Sequence, residues 1–546
     1  MEVDPEHLLD VARSALKRRE YAVAYRTLQK AGEQQSLEPD DQSMLADAAW
    51  WLGQISECLT ISETLHRRYL EDGKVERAAL QAIDIGGMWM LRGEYGLASG
   101  WVSRARRLLE GRSQGRGHGL LSYFDGCAAL EEQRLDEAWT GGRELRRLGQ
   151  ELGDDTCTAL GLLVEGLAEI RRGHLRAGFA LLDEAMLPVM ADSVAPEWCG
   201  NIYCTIMATC YDLMDLPRAR EWTRATERWL SGFSDAVMFL GVCRAHRLQL
   251  HVVEGAWAQA EQEAAEVERD LADLNIEAVA ETAYQVGETY RLRGQYGRAA
   301  TSYRLAAARG RDPQPGAALL QLATGDVVGA WSAVTAAVAS ATADPFRCAR
   351  LLPAQVQIGL VAGHVGSAAA SAARLEELRD RFPTPGLVAC ADQARATVLL
   401  AQREFASAVP LLSRAVDQLT RMGAAYDAAT GDLLLAVAHR AMGDADAAQA
   451  HEHAALATFH RLGVPPPPLA HTAGRPPLGG LTNRETDVLA SVATGASNRD
   501  AAAALFISEA TVRRHLANIY RKLGVGSRTA AAAWAHEHGL LEHNHG

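Results

Sequence analysis

Apolar residues along this chain recur at helical spacing, and no long run alternates apolar and polar positions as a half-buried strand would. Ala supplies much of the 48% hydrophobic content, whereas aromatic residues make up 6%. Ala favours helix and lets helices approach closely. The pattern predicts an all-α protein. Within it one punctuation mark repeats: a glycine-like residue followed two positions later by an apolar one. It falls at Arg19, Gly53, Gly93, Gln133, Gly173, Met214, Gly255, Gly294, Gly325, Gly363, Arg403 and Gly443. Most steps are 38 to 41 residues. Three residues past the apolar position stands Ala in ten of the twelve cases, with the small residues Cys58 and Gly178 in the other two. This register predicts about twelve helical hairpins over residues 6–462, stacked into a curved solenoid. The shortest step, Gly294 to Gly325, carries Pro313 and Pro315, which predicts a shortened hairpin and a kink there.

Residues 282–306 show the repeat in full. Gly287, Tyr290, Gly294, Tyr296, Ala299, Tyr303 and Ala306 stand at the positions where a tetratricopeptide repeat has its small and aromatic residues. The segment resembles that family, and a step near 40 against the usual ~34 implies helices longer by a turn. By the same resemblance Tyr284, Glu288 and Arg291 face the groove and are candidates for an effector site, with inter-repeat packing the alternative for the aromatic. Trp89, Met90 and Leu91 hold similar places earlier.

After Leu462 the periodicity stops. Residues 463–480 hold six Pro and four Gly and read as a linker, stiff at Pro465–Pro468 and loose at Gly479-Gly480. A second pattern follows. Thr482 with Glu485 and Ser497 with Asp500 are spaced as helix-opening boxes, Ser508 caps a third helix to about Leu523, and Ser527 starts a fourth. Gly495, Gly524 and Gly526 are the stops. Short helix, tight turn and longer helix form a helix-turn-helix arrangement. On the third helix Ile507, Val512, Leu516, Ile519 and Leu523 recur on the core face. Arg513, Arg514, Ala517, Arg521 and Lys522 are left outside. Arg suits bidentate contact with guanine edges, and a small Ala allows close approach to a base. This outer face is therefore the candidate to meet base edges. Arg499, Thr511, Arg521, Lys522 and Arg528 are the candidate phosphate anchors.

Residues 481–541 resemble the LuxR-type helix-turn-helix domain of bacterial transcription regulators. The match runs through Leu481-Thr482, Arg484-Glu485, Val488-Leu489, Gly495, Ser497-Asn498, Leu505, Ser508, Thr511-Val512, His515, Ile519, Lys522-Leu523, Arg528 and Gly539-Leu540-Leu541. The departures are Ala501, where the family usually has Ile, and Ala503, where a charged residue is common. The resemblance implies that the third helix enters the major groove, which assigns Arg513, Arg514 and Ala517 to base-facing positions, and that the fourth pairs two domains on duplex DNA. It also implies a sequence-specific regulator, acting as an activator with RNA polymerase as a partner. The maltose-regulator group joins a nucleotide-binding ATPase, a helical repeat region and this terminal domain. Here no phosphate loop can be written: the single Gly-Lys pair, Gly73-Lys74, lacks the preceding Gly. No receiver-domain pattern precedes the tail. The expected control is an unknown effector, peptide or protein at the solenoid; the alternative is an interaction scaffold with a degenerate tail.

Composition limits the choices. The formal charge is −13, of which residues 481–546 contribute about +1, so a nucleic-acid role must sit in a local patch. The nine Cys show no paired framework, and the amino terminus has no secretion signal; the expected setting is the cytoplasm. Cys199, Cys204 and Cys210 lie on one helix with divergent directions, so core packing is expected rather than a metal. No apolar run is long enough for a membrane span. Gly111 to Gly115 matches the nucleophile-elbow string but lacks a preceding strand and reads as a loop. His536, His538, His543 and His545 read as a solvated tail. No catalytic constellation is present, and neither enzyme activity nor a cofactor is expected.

Overall fold

The computed structural model describes residues 4–232, 237–467, 481, 483–505 and 507–537. Thr482, Phe506, most of the linker and the segment from His538 onward, with Gly539-Leu540-Leu541 and the last three His, lie outside the described residues. Among the described residues there are 28 helices and no strands. The first 24 run from α1 (Pro5–Lys17) to α24 (Ala445–Leu462) and pair as twelve successive antiparallel hairpins.

The repeated punctuation is the turn within each hairpin. All twelve signal residues, from Arg19 to Gly443, adopt a left-handed backbone with φ between +54° and +98°. The chain reverses there by a Schellman-type closure, as where Gln54 N–H donates to Ala49 O (2.8 Å) and Glu94 N–H to Trp89 O (2.9 Å). The apolar residue two positions on is in every case the first residue of the second helix, from Tyr21 to Ala445. Three residues further, the Ala is buried in all ten cases, as are Cys58 and Gly178. The second helix crosses the first at that point, and a larger side chain would hold them apart. Gly287 serves the same approach from the first helix, since a Cβ there would overlap the Tyr303 ring. The hairpin of the shortest step is formed by α17 (Gly316–Ala323), only 8 residues long, and α18 (Val327–Ser340). The Gly111–Gly115 string lies in the loop between α6 (Tyr95–Leu109) and α7 (Arg116–Glu131).

First helices of successive hairpins touch one another closely, as α13 (Val237–Glu254) does α15 (Ile276–Leu292), and α19 (Pro345–Val361) does α21 (Pro385–Ala401). These first helices line the inner side of the curve. The curve also closes on itself. Trp257 Nε1 donates to Leu462 O (2.9 Å), Arg220 Nη2 to Met422 O (2.9 Å) and Tyr95 Oη to Glu277 Oε1 (3.1 Å). Thr384 donates to the Leu213 carbonyl and Arg381 to that of Arg171. Each of these contacts joins one hairpin to the fifth hairpin after it, so one superhelical turn takes about five hairpins. Gly255 is needed at one such crossing, where it combines φ +75° with the Leu462 side chain in the space of its missing Cβ.

The remaining four helices are α25 (Asn483–Ala493), α26 (Asn498–Ala504), α27 (Glu509–Leu523) and α28 (Arg528–Glu537). They share their own core of Leu481, Val488, Leu489, Val492, Ala501, Ala502, Val512, Leu516, Ile519, Ala531 and Ala535. Ala501 is fully buried there, filling with a small side chain the place where Ile is usual in the LuxR type. No helix among the described residues is long and apolar enough to cross a membrane.

Candidate nucleic-acid interface and solenoid groove

Helix α27 is set by its ends. The Ser508 hydroxyl accepts from Thr511 N–H (3.1 Å), and Gly524 terminates the helix in a left-handed conformation at φ 68°. The short helix before it is closed by a reciprocal box: Asp500 accepts from Ser497 N–H (3.2 Å) while Ser497 Oγ accepts from Asp500 N–H (3.2 Å). The proposed Thr482–Glu485 box rests on a residue outside the described set. With Val512, Leu516 and Ile519 buried, the opposite face of α27 presents Arg513, Arg514, Ala517 and Arg521 to solvent. Arg513 has a carboxylate only at 3.8 Å, from Glu509 one turn back, and Arg521 bonds the neutral Asn518 Oδ1 (2.7 Å). Arg499 on α26 is exposed as well. Among the described residues this is a stripe of guanidinium groups without tight carboxylate partners, flanking the small side chain of Ala517.

Other candidate anchors are engaged within the domain. Lys522 Nζ lies 2.6 Å from Glu485 Oε2, whose residue is only 3% exposed, so this ammonium neutralises a buried carboxylate between α25 and α27. Arg528 donates to Asn498 Oδ1 (2.8 Å) and to the Ala496 carbonyl, tying the start of α28 to the start of α26. Thr511 shares its hydroxyl with Ser508 Oγ (2.8 Å). Arg484 donates to the Leu505 carbonyl. Half-buried His515 has its pKa lowered by burial first and then by neighbouring Arg514, which favours the neutral ring.

In the solenoid, Tyr284, Glu288 and Arg291 do come together on α15. Arg291 binds Glu288 through two contacts (2.6 and 3.2 Å), and Tyr303 donates to the same carboxylate. Tyr284 is only 4% exposed, stacked under the Arg311 guanidinium (4.3 Å), so the ring is a packing element more than a free surface.

The sequence reading missed the wider network around them. Arg311 Nε binds Glu281 Oε2 (2.6 Å), Gln285 bridges Glu281 Oε1 (2.8 Å) and Tyr211 Oη (2.8 Å), and Arg350 binds Asp212 Oδ1 (3.0 Å). Side chains from α11 (Pro196–Asp212), α15, the loop at Arg311 and α19 thus meet on the inner side. The charged side chains of the three ion pairs retain 16% to 32% of their accessibility, so water reaches them, whereas Gln285 is only 1% exposed. Burial pushes the Glu281 carboxyl up, but the charges of Arg311 and Arg350 and the hydrogen bonds from Arg311 and Gln285 outweigh it and hold the group at about 2. For Asp212 burial wins over Arg350 and its pKa is raised. Burial pushes His246, on the neighbouring α13, down to about 4. The local sequence signals were the Glu288/Arg291 spacing of three and the Glu281/Gln285 spacing of four; Arg311 lies 30 residues from Glu281, Tyr211 74 from Gln285 and Asp212 138 from Arg350. Among the described residues no group of three or more His, Cys, Asp or Glu could hold a metal ion.

Residues 480–535 match the family of bacterial regulatory proteins, luxR family. The chain is 53% identical over 60 residues to the uncharacterized transcriptional regulatory protein YhcZ of Bacillus subtilis, covering 11% of this chain and 28% of that one. It is 58% identical over 55 residues to a nitrate/nitrite response regulator protein homolog of Haemophilus influenzae, covering 10% and 26%. The CsgBAC operon transcriptional regulatory protein of Escherichia coli matches at 47% over 57 residues, covering 10% and 26%. The chain thus spans little more than a quarter of the length of these curated relatives. Among solved structures, a Rap protein complexed with competence and sporulation factor aligns at TM-score 0.45 and 11% identity, over 63% of this chain and 98% of that one. The Cut9–Hcn1 structure aligns at TM-score 0.35 and 12% identity, over 84% and 96%.

Proposed function

We propose that this chain, a tetratricopeptide-like solenoid carrying a LuxR-type helix-turn-helix domain, is a regulator of transcription that reads duplex DNA through α27. The observation that carries the reading is the exposed stripe Arg513, Arg514, Ala517 and Arg521 on a helix whose cap, core face and glycine stop are all in place. Arg513, Arg514 and Ala517 face the base edges, while Arg499 and Arg521 hold phosphates. Thr511, Lys522 and Arg528 support this surface from within, and approach phosphates only as far as their internal bonds allow. The regulator acts in the cytoplasm as an activator, as a homodimer on DNA paired through α28, with RNA polymerase as a further partner. Its parts are the solenoid to residue 462, the linker 463–480 and the reader from 481. The solenoid binds an effector, peptide or protein on the inner wall around Glu288 and Arg291.

The test is a selection of genomic fragments by the full chain, followed by gel shifts. Arg513→Ala with Arg514→Ala should weaken the selected fragments by 10-fold or more and leave weak, sequence-independent binding. Unchanged specific binding in the double variant would remove α27 as the reader.

A further inference from the structure

Three arginines of the inner wall are answered by a carboxylate: Arg291 by Glu288, Arg311 by Glu281 and Arg350 by Asp212. Arg171, the last residue of α9 (Asp155–Arg171), is not. Among the described residues its guanidinium donates no hydrogen bond and makes no ion pair, and its Nη1 is enclosed without a partner. The head group is nevertheless held in place. It lies on the ring of Phe346, with Cζ 5.3 Å from the centroid, and that ring is buried edge-on against Phe382 at 5.4 Å. The Arg171 carbonyl is fixed as well, by Arg381 of the next superhelical turn. The neighbouring acids are already committed. Asp344 Oδ1 caps α19 by accepting from Phe346 N–H (2.9 Å) and Arg347 N–H (3.2 Å), and Asp212 Oδ1 accepts from Arg350 (3.0 Å). Glu131, exposed at the end of α7, makes no ion pair with Arg171. A bland reading is a cation at a helix C-terminus, stacked on an aromatic ring. That accounts for the charge and for one face of the guanidinium, but not for the empty donors in its plane. A guanidinium keeps its proton at any working pH, so the charge cannot be shed. Burial opposes it, and Asp344, Asp212 and Glu131 offset this only in part, so the pKa is lowered; Arg350, bonded to Asp212, is shifted the other way. Arg171 is half-buried, so water still reaches part of it. An anion entering from the inner side of the curve would relieve both the charge and the unused donors.

We propose that Arg171 heads a binding site for an organic monocarboxylate on the inner wall of the solenoid, with the carboxylate on the Arg171 fork beside Asp212 and Phe346 and the apolar part of the ligand along Phe124 and Cys127 of α7. The proposal rests on the reading of the solenoid as an effector binder and specifies the effector's chemistry. The planar fork offers parallel donors, which a carboxylate accepts in one plane. A dianion such as phosphate is disfavoured, because Asp344, Asp212 and Glu131 already make the surroundings negative. Phe124 and Cys127 stand three residues apart on α7, hence on one face, and both are half-buried. Cys127 is coupled to Arg171, and the Phe124 ring meets that of Trp198 at 6.1 Å. An alkyl or aryl group on the ligand gains by covering this strip.

The experiment is calorimetric titration of the full chain with 4-phenylbutyrate and, separately, with inorganic phosphate. The expected result is millimolar or tighter binding of the carboxylate, which falls roughly 10-fold or more in Arg171→Met, with phosphate weaker by a similar factor. Arg171→Lys, which keeps the charge without the fork, should bind between the native chain and Arg171→Met. Met keeps an apolar stem against Phe346 and removes an unanswered charge, so the ligand-free variant should melt at the same temperature or higher. A lower melting temperature would make Arg171 a folding residue and overturn the proposal. So would equal carboxylate binding in the native chain and Arg171→Met, no millimolar binding to the native chain, or phosphate binding as tight as that of the carboxylate. Gel shifts on a selected DNA fragment, with and without 4-phenylbutyrate, separate this site from the reading it rests on. Carboxylate binding that depends on Arg171 but leaves DNA affinity unchanged keeps the site and removes its role as an effector site. DNA binding that persists when no carboxylate binds removes the site alone.

Discussion

The same residue type is used in two opposite ways in this molecule. On the inner wall of the solenoid, Arg291, Arg311 and Arg350 each sit within 3.0 Å of a carboxylate and are mostly enclosed. On α27, Arg513, Arg514 and Arg521 are exposed, and the nearest carboxylate to Arg513 is at 3.8 Å. Pairing at short range in a walled site fixes the positions of helices that come from different hairpins, because breaking one partner leaves the other charged and desolvated. Exposed guanidinium groups fix nothing. Their donors stay open to solvent, as the proposed contact with a polyanion requires, where release of counterions would supply much of the affinity. Lys522 and Arg528 lie in the helix-turn-helix domain but are engaged internally like the solenoid arginines. Position in a basic domain is therefore a poor guide to role; the distance to the nearest acceptor decides it.

This comparison can be broken by substitution. The largest effect is expected from Arg350→Met, which strands Asp212 and weakens the hold on Glu281. It should cost the solenoid about 3 kcal/mol, below a fully enclosed pair because about a third of the Asp212 side chain is exposed, read as an early transition in chemical denaturation, with DNA binding by the reader unchanged. Lys522→Ala should destabilise the reader by about 2 kcal/mol, less than a fully enclosed pair because a third of the Lys side chain is exposed, and should barely alter the salt slope of DNA binding. If that slope fell by a full contact, Lys522 would belong with the free arginines. Arg514→Ala should do the reverse, costing about 1–3 kcal/mol in specific DNA binding and under about 0.5 kcal/mol in stability.

A smaller effect comes with pH. His246 and Glu281 both have folded pKa values below their ordinary ones, so the unfolded chain binds more protons and stability falls with acid. The His246 contribution is lost from 6.5 towards about 4, and that of Glu281 from 4.5 towards about 2. Asp427 has the opposite sign: raised from 3.8 to about 6, its contribution declines as pH rises through that window. Denaturation midpoints at pH 7, 5 and 4 should therefore fall, and fall more steeply in Asp427→Asn; a flat profile would remove the buried titrating groups from the account. The smallest effect is expected from Arg403→Gly. A left-handed φ of 67° strains a side-chain-bearing residue, so glycine should stabilise by up to about 1 kcal/mol in thermal melts.

The parts of this architecture that could be read from sequence are those set by local rules. A reversal needs one residue in the left-handed region, and a close crossing needs a small residue at a fixed distance from it. Gly294 with Ala299 and Arg403 with Ala408 carry both marks within six residues. The Ser508 cap and the Gly524 stop on α27 are equally local. The closure of the superhelix leaves no such mark: nothing near Trp257 announces that its indole will find the carbonyl of Leu462, 205 residues later. The inner network is hidden for the same reason, since Asp212 and Arg350 acquire each other only when hairpins curl to a common radius. In the reader, Lys522 looked free because Glu485 lies 37 residues away in the chain.

An open array of hairpins loosens from its ends, because the terminal hairpin has a neighbour on one side alone. Here the last helix is also held from below. The indole of Trp257 grips its final carbonyl, and Leu248, Val252, Phe459, Leu462 and Val464 pack together around that grip. Fraying at this end must therefore break two interfaces at once, and the unfolding of hairpin twelve becomes a cooperative event shared with hairpin seven. Pro465, close against Gly294, leaves from this reinforced post. The tether to the reader thus starts from one of the better-secured points of the scaffold, and any change in the pitch of the coil must displace its origin.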